Sequence, residues 1–107
     1  MITKNAYPYA NTSKHLLIVY LKHKEHAKEL SAKDWTELGK IIRWASAKFK
    51  IVGGGYAMRF GDTNYSGATL QHLHAHLFEP KFDKVEQLPE QVNFIIGRDP
   101  RAIAITN

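Results

Sequence analysis

Three histidines at two-residue spacing are the residues of this chain whose type and pattern suggest chemistry. His72, His74 and His76 alternate with Leu73 and Ala75 in the segment QHLHAHLFEP, and they are half of the chain's six histidines. Side chains of a β-strand alternate between the two faces of a sheet, so an extended segment places all three imidazoles on one face. Imidazole can act at neutral pH as a nucleophile, a base, an acid or a metal ligand. The spacing therefore predicts a strand with one chemically active face.

Metal binding is one use of such a row of imidazoles. Zinc binds imidazole nitrogen at about 2 Å, and two neighbouring histidines of the row could share one ion. The outer pair, His72 and His76, is about 13 Å apart along an extended strand, at roughly 3.3 Å per residue. One ion therefore cannot bind all three without strong twisting, and no carboxylate alternates with them. A histidine-ligated metal protein, completed by His15, His23 or His26, stays an alternative interpretation.

Catalysis on a phosphate is the use that the preceding residues favour. One ring could attack phosphorus while its neighbours orient it and stabilise the developing charge. The turn before the histidines contains Ser66, Gly67 and Thr69. Their backbone N–H groups and hydroxyls are suited to bind non-bridging phosphate oxygens. We therefore expect a phosphate site where the turn meets the strand.

The pattern resembles the signature of the histidine-triad (HIT) nucleotide hydrolases and transferases, His-φ-His-φ-His-φ-φ with φ apolar, which residues 72–78 match. Residues 67–72 fit the Gly-x-Ser/Thr-x-x-His that often precedes it, and residues 15–23 fit the earlier His-φ-φ-φ-φ-x-x-x-His. Residues 5–9, NAYPY, are similar to an entry segment of bacterial members near the diadenosine-polyphosphate hydrolase and phosphorylase branch. The resemblance covers roughly residues 5–80.

The resemblance implies a role for each matched histidine. His74, the middle one, would be the nucleophile that forms a nucleotidyl-histidine intermediate, which water or another acceptor then discharges. His76 would contact the scissile phosphate and the leaving group. His72 and His15 would complete a hydrogen-bonded cluster that orients and polarises the nucleophile. The implied function is hydrolysis or transfer at a phosphoanhydride or phosphoramidate bond of a nucleotide.

Further site residues, cofactors and assembly are implied in the same way. Thr69 would hydrogen-bond near the leaving group, and Asn5 would contact the ribose of a nucleotide or dinucleoside polyphosphate. The family's polar residue before the turn falls near Gly61, so its replacement would be one of three neighbours, Arg59, Asp62 or Asn64. No metal or cofactor is required, although magnesium can accompany a polyphosphate substrate. Family members commonly form homodimers through the main helix and a neighbouring strand, so we expect a homodimer.

Length and composition restrict the class of protein. A chain of 107 residues with 44% apolar residues predicts one domain spanning residues 1–107. This domain begins without the segment that usually precedes the Asn5 region in the family, so a nucleotide-binding protein with little catalysis is the chief alternative. The absence of cysteine excludes disulfides and thiolate metal sites.

Charge and hydropathy bear on the class of partner and on the cellular location of the protein. The net charge of +5 is compatible with RNA binding, but a solvated lysine-rich surface is the favoured explanation, so RNA is not the favoured partner. No apolar segment approaches the roughly 20 residues of a membrane span, and the first residues do not form a signal peptide. We expect a cytoplasmic protein without membrane association.

Strands and one helix must position the histidines. Three apolar segments predict strands, at Lys14–Leu21, Tyr56–Phe60 and Leu70–Glu79. Apolar residues recur at helical spacing from Ala32 to about Lys48, and Ser31 with Asp34 resembles a capping box that opens this helix. The apolar residues that alternate with the histidines are predicted to face the helix: Leu73, Ala75 and Leu77. The expected fold is α+β, a HIT-like antiparallel sheet with one main amphipathic helix on one face.

Weaker signals complete the prediction. We expect Trp35 and Trp44 of the helix in the core, with a contribution to the dimer contact as the alternative. We also expect a helix stop and turn at Gly53–Gly55. Beyond these, the sequence predicts a polar turn at Gly61–Gly67, a turn of helix at Asp83–Gln91 and a short strand at Val92–Ile96.

Overall fold

The computed structural model of the chain describes residues 2–19, 24–68 and 73–97. Its elements are β1 (Ile2–Lys4), β2 (Thr12–Val19), α1 (Ala32–Lys48), β3 (Gly55–Arg59), α2 (Thr63–Ser66), β4 (His74–Pro80), β5 (Phe82–Asp83) and β6 (Leu88–Pro89), with a 3-10 turn at Ala27–Glu29. β1 to β4 form an antiparallel sheet in the order β1-β2-β4-β3, and β5 pairs with β6. An α+β fold with an antiparallel sheet and one main helix is therefore confirmed.

The main helix α1 has the predicted bounds and the predicted N-terminal cap. The Ser31 hydroxyl accepts a hydrogen bond from the Asp34 N–H at 3.1 Å, and the Asp34 carboxylate accepts one from the Ser31 N–H at 2.8 Å. This reciprocal pair satisfies two N–H groups that a helix start otherwise leaves unpaired. The helix ends at Lys48 with Phe49 as its C-cap, and Lys50 adopts a left-handed φ of 52°. The helix therefore stops before Gly53–Gly55, where the sequence had predicted the stop.

One face of the sheet packs against α1. Leu16 of β2 and Leu77 of β4 form a buried cluster with Ala45 of α1, joined at its margin by Ile2, Phe49 and Ile51. Leu73 and Ala75 are also buried, so the predicted burial of the residues that alternate with the histidines is confirmed. No helix among the described residues has the length and hydropathy needed to cross a bilayer.

The two tryptophans of α1 are not core residues, and that expectation was wrong. Trp35 is 47% exposed and Trp44 is 53% exposed, whereas Ala45 is fully buried. At 3.6 residues per turn, Trp44 lies about 100° to one side of Ala45 and Trp35 about 80° to the other. The small Ala45 side chain forms the line of contact with the sheet, so both tryptophans flank that line.

Three further predictions also differ from the structure. The expected helical turn at Asp83–Gln91 is a β5–β6 hairpin, because the Asp83 carboxylate accepts hydrogen bonds from two backbone N–H groups of the turn, those of Val85 and Glu86. Residues 92–96 are not a strand. The expected polar turn at Gly61–Gly67 contains the short helix α2, whose first turn is capped by the Asp62 carboxylate.

Gly54 allows the chain to enter β3 close to β4. A Cβ atom at Gly54 would overlap the backbone carbonyl oxygen of Phe78, whereas one at Gly53 would meet no atom within 4 Å. Backbone atoms of a paired strand cannot move aside cheaply, so this close approach requires glycine.

Gly54→Ala should lower the free energy of unfolding by about 1–3 kcal/mol, the range expected for steric overpacking. Gly53→Ala is the matched control and should change it by less than about 0.5 kcal/mol. Urea denaturation of the two variants measures the difference. Equal effects at both positions would contradict the close-approach argument.

Glu79 joins three parts of the fold through its buried carboxylate. It accepts hydrogen bonds from the Ser13 hydroxyl at 2.8 Å, the Lys14 ammonium at 3.1 Å and the Val52 N–H at 2.6 Å. Burial alone would raise the pKa of Glu79, but these hydrogen bonds and the Lys14 charge outweigh it and lower the pKa to about 2. The carboxylate therefore ties β2, β4 and the segment after α1 together.

Glu79→Gln should lower the free energy of unfolding by about 1–3 kcal/mol at pH 7, because donors are left without their charged acceptor. The destabilisation caused by Glu79→Gln should be smaller in acid. The native carboxylate stabilises the fold above the ordinary value of 4.5, and this contribution disappears as pH falls towards about 2. Glu37→Gln, which removes an exposed 3.9 Å ion pair with Lys40, is the control. Similar denaturation midpoints for both variants would refute the role of Glu79.

Candidate functional site

β4 carries the described histidines on the face opposite to α1. Its neighbours on both sides are antiparallel, and directly paired residues share a face. His76 pairs with Leu17 of β2 and Ala57 of β3, and His74 pairs with Val19 and Arg59. The predicted alternation therefore holds for these two histidines. His72 and Thr69, two of the predicted site residues, lie outside the described residues.

His15 of β2 joins His74 and His76 in one row. The ring centroids of His15 and His76 are 5.1 Å apart, and those of His74 and His76 are also 5.1 Å apart. His76 is therefore the middle ring of the row as it lies in space. In the sequence, His74 is the middle histidine of the triad.

A directed hydrogen-bond chain fixes the proton positions of His15 and His76. The Tyr9 N–H donates to His15 Nδ1 at 3.1 Å, so the proton of a neutral His15 must lie on Nε2. His15 Nε2 is 2.9 Å from His76 Nδ1 and donates to it. A neutral His76 with an accepting Nδ1 must in turn carry its proton on Nε2. The chain thus runs from the Tyr9 backbone through His15 to His76 and ends in an N–H group.

Burial keeps both of these rings uncharged. It lowers the pKa of His76 to about 3, with smaller contributions from the positive charges of His74, His15 and Arg59. Burial also lowers the pKa of His15. Removing an imidazolium from water is unfavourable, and each neighbouring cation increases that cost. Both rings are therefore neutral at pH 7, as the hydrogen-bond chain requires.

The N–H group at the end of this hydrogen-bond chain has no acceptor among the described residues. His76 is 5% exposed, and its Nε2 is buried with no hydrogen-bond partner among the described residues. A buried donor without an acceptor costs about 1–3 kcal/mol. Such groups are few in native proteins, and each calls for an explanation. An oxygen atom of a ligand would satisfy this one.

Aromatic rings surround the row of histidines. Phe78 stacks on His76 at 5.7 Å with an interplanar angle of 8°, and Phe94 meets His76 edge-to-face at 5.3 Å. Tyr9 meets His15 edge-to-face at 4.6 Å. Apolar walls lower the local dielectric constant, so an electrostatic interaction with a bound ligand is stronger here than in water.

Arg59 places a permanent cation at the same site. Its guanidinium carbon lies 4.0 Å from the Phe94 ring centroid. Its Nε donates to the Ile95 carbonyl oxygen at 2.8 Å, and Nη2 donates to the same oxygen. Nη1 and Nη2 are each 3.4 Å from the Tyr9 hydroxyl oxygen. Arg59 thus connects the N-terminal loop with the segment that follows β6.

Two of the remaining predicted site residues have positions that bear on their expected roles. Asn5 Nδ2 lies 3.4 Å from both ring nitrogens of His15, so Asn5 is beside the row. Ser66 is buried, and its hydroxyl accepts a hydrogen bond from the Ala68 N–H at 3.2 Å. None of the hydrogen bonds of Ser66 reaches a described histidine, so its hydroxyl stabilises its own loop.

Gly67, the other predicted phosphate-binding residue, is needed for the loop conformation. It has a left-handed φ of 73°, and a Cβ atom there would overlap the Gly97 carbonyl oxygen. The Gly97 N–H donates to the Ser66 carbonyl at 2.9 Å. The segment after β6 is therefore held against the α2 loop by backbone contacts.

Sequence reasoning did not find all the residues that meet here. It considered Arg59 only as a replacement for a polar residue of the family, and it gave Phe94 no part in the site. Phe94 lies within residues 92–96, which the sequence predicted as a short strand and which form neither strand nor helix, so the local pattern did not place its ring beside the histidines. For Arg59, a signal was present in the sequence: it is a charged residue in a strand, β3, whose other residues are apolar, aromatic or glycine.

Comparison with known proteins does not supply a family. No model of a known protein family matches the chain, and no match is found among curated protein sequences.

Within residues 2–19, 24–68 and 73–97, no group of three or more His, Cys, Asp or Glu side chains is arranged to hold a metal ion.

Acid should destabilise the protein through His76. The folded ring stays neutral down to about pH 3, whereas an unfolded histidine takes up a proton near 6.5. Its stabilising contribution is therefore complete above pH 6.5 and is lost as pH falls below it. Between pH 7 and 5, the unfolding free energy of the wild-type protein should fall with pH partly because of His76. His76→Gln should reduce the slope of this plot of unfolding free energy against pH by up to about 1.4 kcal/mol per pH unit.

Urea denaturation at several pH values between 5 and 7 measures this slope. Gly53→Ala, which leaves every titratable group in place, is the control and should keep the wild-type slope. A His76→Gln protein with the wild-type slope would show that His76 takes up a proton as readily in the native state as in the unfolded state, and would contradict this prediction.

Proposed function

We propose that this protein hydrolyses or transfers a nucleoside monophosphate through a nucleotidyl-histidine intermediate, with His74 as the nucleophile. The observation that carries the proposal is the hydrogen-bond chain from Tyr9 through His15 to His76, which ends in an unpaired N–H beside His74. A donor that already carries its proton and is held in place loses little entropy when an anionic oxygen binds. The sequence pattern of the histidine-triad proteins points to the same reaction.

The proposed first step forms one bond and breaks one. A ring nitrogen of His74 donates its lone pair to phosphorus, and the phosphorus–oxygen bond to the leaving phosphate breaks, with its electrons remaining on that oxygen. Water then attacks the same phosphorus atom, the nitrogen–phosphorus bond breaks, and the proton lost by the water passes to solvent. His76 Nε2–H binds a phosphate oxygen and stabilises its negative charge in both steps.

A second candidate function is nucleotide binding with little catalysis. The observation that favours it is that His76 Nε2 is shielded from solvent, with the ring of Phe94 packed edge-to-face against His76. A substrate oxygen reaches Nε2 only if this cover moves. A protein that binds a nucleotide without displacing Phe94 would not complete the proposed step.

His74→Ala should lower turnover of a dinucleoside polyphosphate by at least about 1,000-fold, because the covalent route loses its nucleophile. Released nucleoside monophosphate, measured by chromatography, reports the rate, and circular dichroism checks the fold. Glu37→Gln, on the exposed side of α1, is the control. Turnover that survives unchanged in His74→Ala would disprove the mechanism.

A labelling experiment separates the two candidates. Wild-type protein incubated with a dinucleoside polyphosphate labelled at the α-phosphate should acquire acid-labile label on a histidine peptide containing His74. Tight nucleotide binding with neither label nor released monophosphate would support the binding protein instead.

A further inference from the structure

Arg59 is a cation without a counter-ion among the described residues. The residue is partly buried, and no carboxylate forms an ion pair with it among the described residues. Its hydrogen-bond acceptors are the carbonyl oxygen of Ile95 and the hydroxyl of Tyr9, both neutral. Neutral acceptors satisfy the N–H groups of a guanidinium but leave its charge uncompensated, which is unfavourable away from water.

The other ionisable groups near Arg59 add to this imbalance. The charge of Arg59 helps to keep His76 unprotonated, so the two groups repel when both are charged. His74, which pairs with Arg59 across β3 and β4, can add only positive charge. Nothing described at this face offers a negative group, and an anionic ligand would supply it.

The position of Arg59 defines where such an anion would bind. Arg59 and His74 are directly opposite each other on the same face of the sheet. The Phe94 ring contacts both the Arg59 guanidinium, at 4.0 Å, and His76, at 5.3 Å. The His76 ring, which carries the N–H without an acceptor, and the uncompensated cation thus both contact one aromatic ring. Together they can bind two anionic groups of one extended ligand.

We propose that Arg59 binds a phosphate group next to the one that His74 attacks, and thereby makes the site selective for phosphoanhydride chains. This inference rests on the proposed function and names its substrate class. A guanidinium binds phosphate through two parallel N–H···O bonds, which a carbonyl oxygen cannot match. A phosphate on Arg59 would therefore replace the Ile95 carbonyl and release the segment that holds Phe94 over His76.

The protonation state of His76 supports the same substrate class. A phosphate leaving group departs as a stable anion and needs no proton, whereas an amine leaving from a phosphoramidate must receive one. The neutral His76 ring donates a hydrogen bond but is a very weak proton donor. The site is therefore better suited to phosphoanhydrides than to phosphoramidates.

Inorganic tripolyphosphate tests the binding site directly, by calorimetry at low salt. Arg59→Gln should bind it at least about 30-fold more weakly than wild type, the loss expected when one partner of a desolvated charge pair is removed. Arg59→Lys should regain part of the affinity, since it keeps the charge but loses the two-bond geometry. Arg43→Gln, an exposed arginine on α1, is the matched control and should bind as wild type does. Equal affinity of Arg59→Gln and wild type would overturn the inference.

A measurement on the wild-type protein guards against a variant that fails to fold. The Nε–H signal of Arg59 in a nitrogen–proton correlation spectrum, assigned from Arg59→Lys, should shift on addition of tripolyphosphate. A signal that does not move at saturating tripolyphosphate would also overturn the inference.

Kinetics separate a phosphate-binding role from a purely structural one. Arg59→Gln should lower kcat/KM for a dinucleoside polyphosphate at least about tenfold more than for a nucleoside phosphoramidate, which lacks the second phosphate. Equal losses for both substrates would mean that Arg59 only holds the fold, and would refute the inference.

The two proposals fail in different ways. If wild type binds tripolyphosphate through Arg59 but turns over neither substrate, the proposed function fails and the anion site stands. If turnover depends on His74 while tripolyphosphate binding ignores Arg59, the proposed function stands and this inference fails.

Discussion

The hydrogen bond between His15 and His76 is the interaction on which the candidate site depends. It crosses from β2 to β4 at 2.9 Å and requires the two strands to be in the observed register. In the observed direction it also requires a neutral His76, because an imidazolium at His76 would have no accepting Nδ1. Burial among aromatic rings supplies that condition by disfavouring the charged form. Packing, register and protonation state are thus coupled in this pair of residues.

The same face of the sheet retains two unfavourable features. The His76 N–H has no acceptor among the described residues, and the guanidinium of Arg59 has no carboxylate. Elsewhere in the described part of the chain, the polar groups discussed above are paired: the buried Glu79 carboxylate has three donors, and the exposed N-terminus of α1 has a reciprocal cap. Unpaired groups concentrated at one place, in an otherwise satisfied fold, are typical of a binding site whose ligand completes the pairing.

Local patterns predicted a large part of the fold. The period of α1 and its capping residues gave the bounds of the helix, and the period-two alternation around β4 gave the two faces of that strand. Predictions failed where a side chain redirected the backbone or where packing decided exposure. Asp83 turned an expected helix into a hairpin through its own carboxylate, and the contact at Ala45 left both tryptophans at the margin of the interface.

The sequence by itself determined that His74 and His76 share a face opposite Ala75 and Leu77, because alternation is a property of any extended segment. Only the tertiary structure decided which groups meet that face. Arg59 contacts Tyr9 and Ile95, which are 50 and 36 residues away along the chain. No local period encodes such contacts, since they follow from the order and register of the paired strands. The proton on His76 Nε2 has the same origin: it depends on a hydrogen bond that exists only after β2 and β4 have paired.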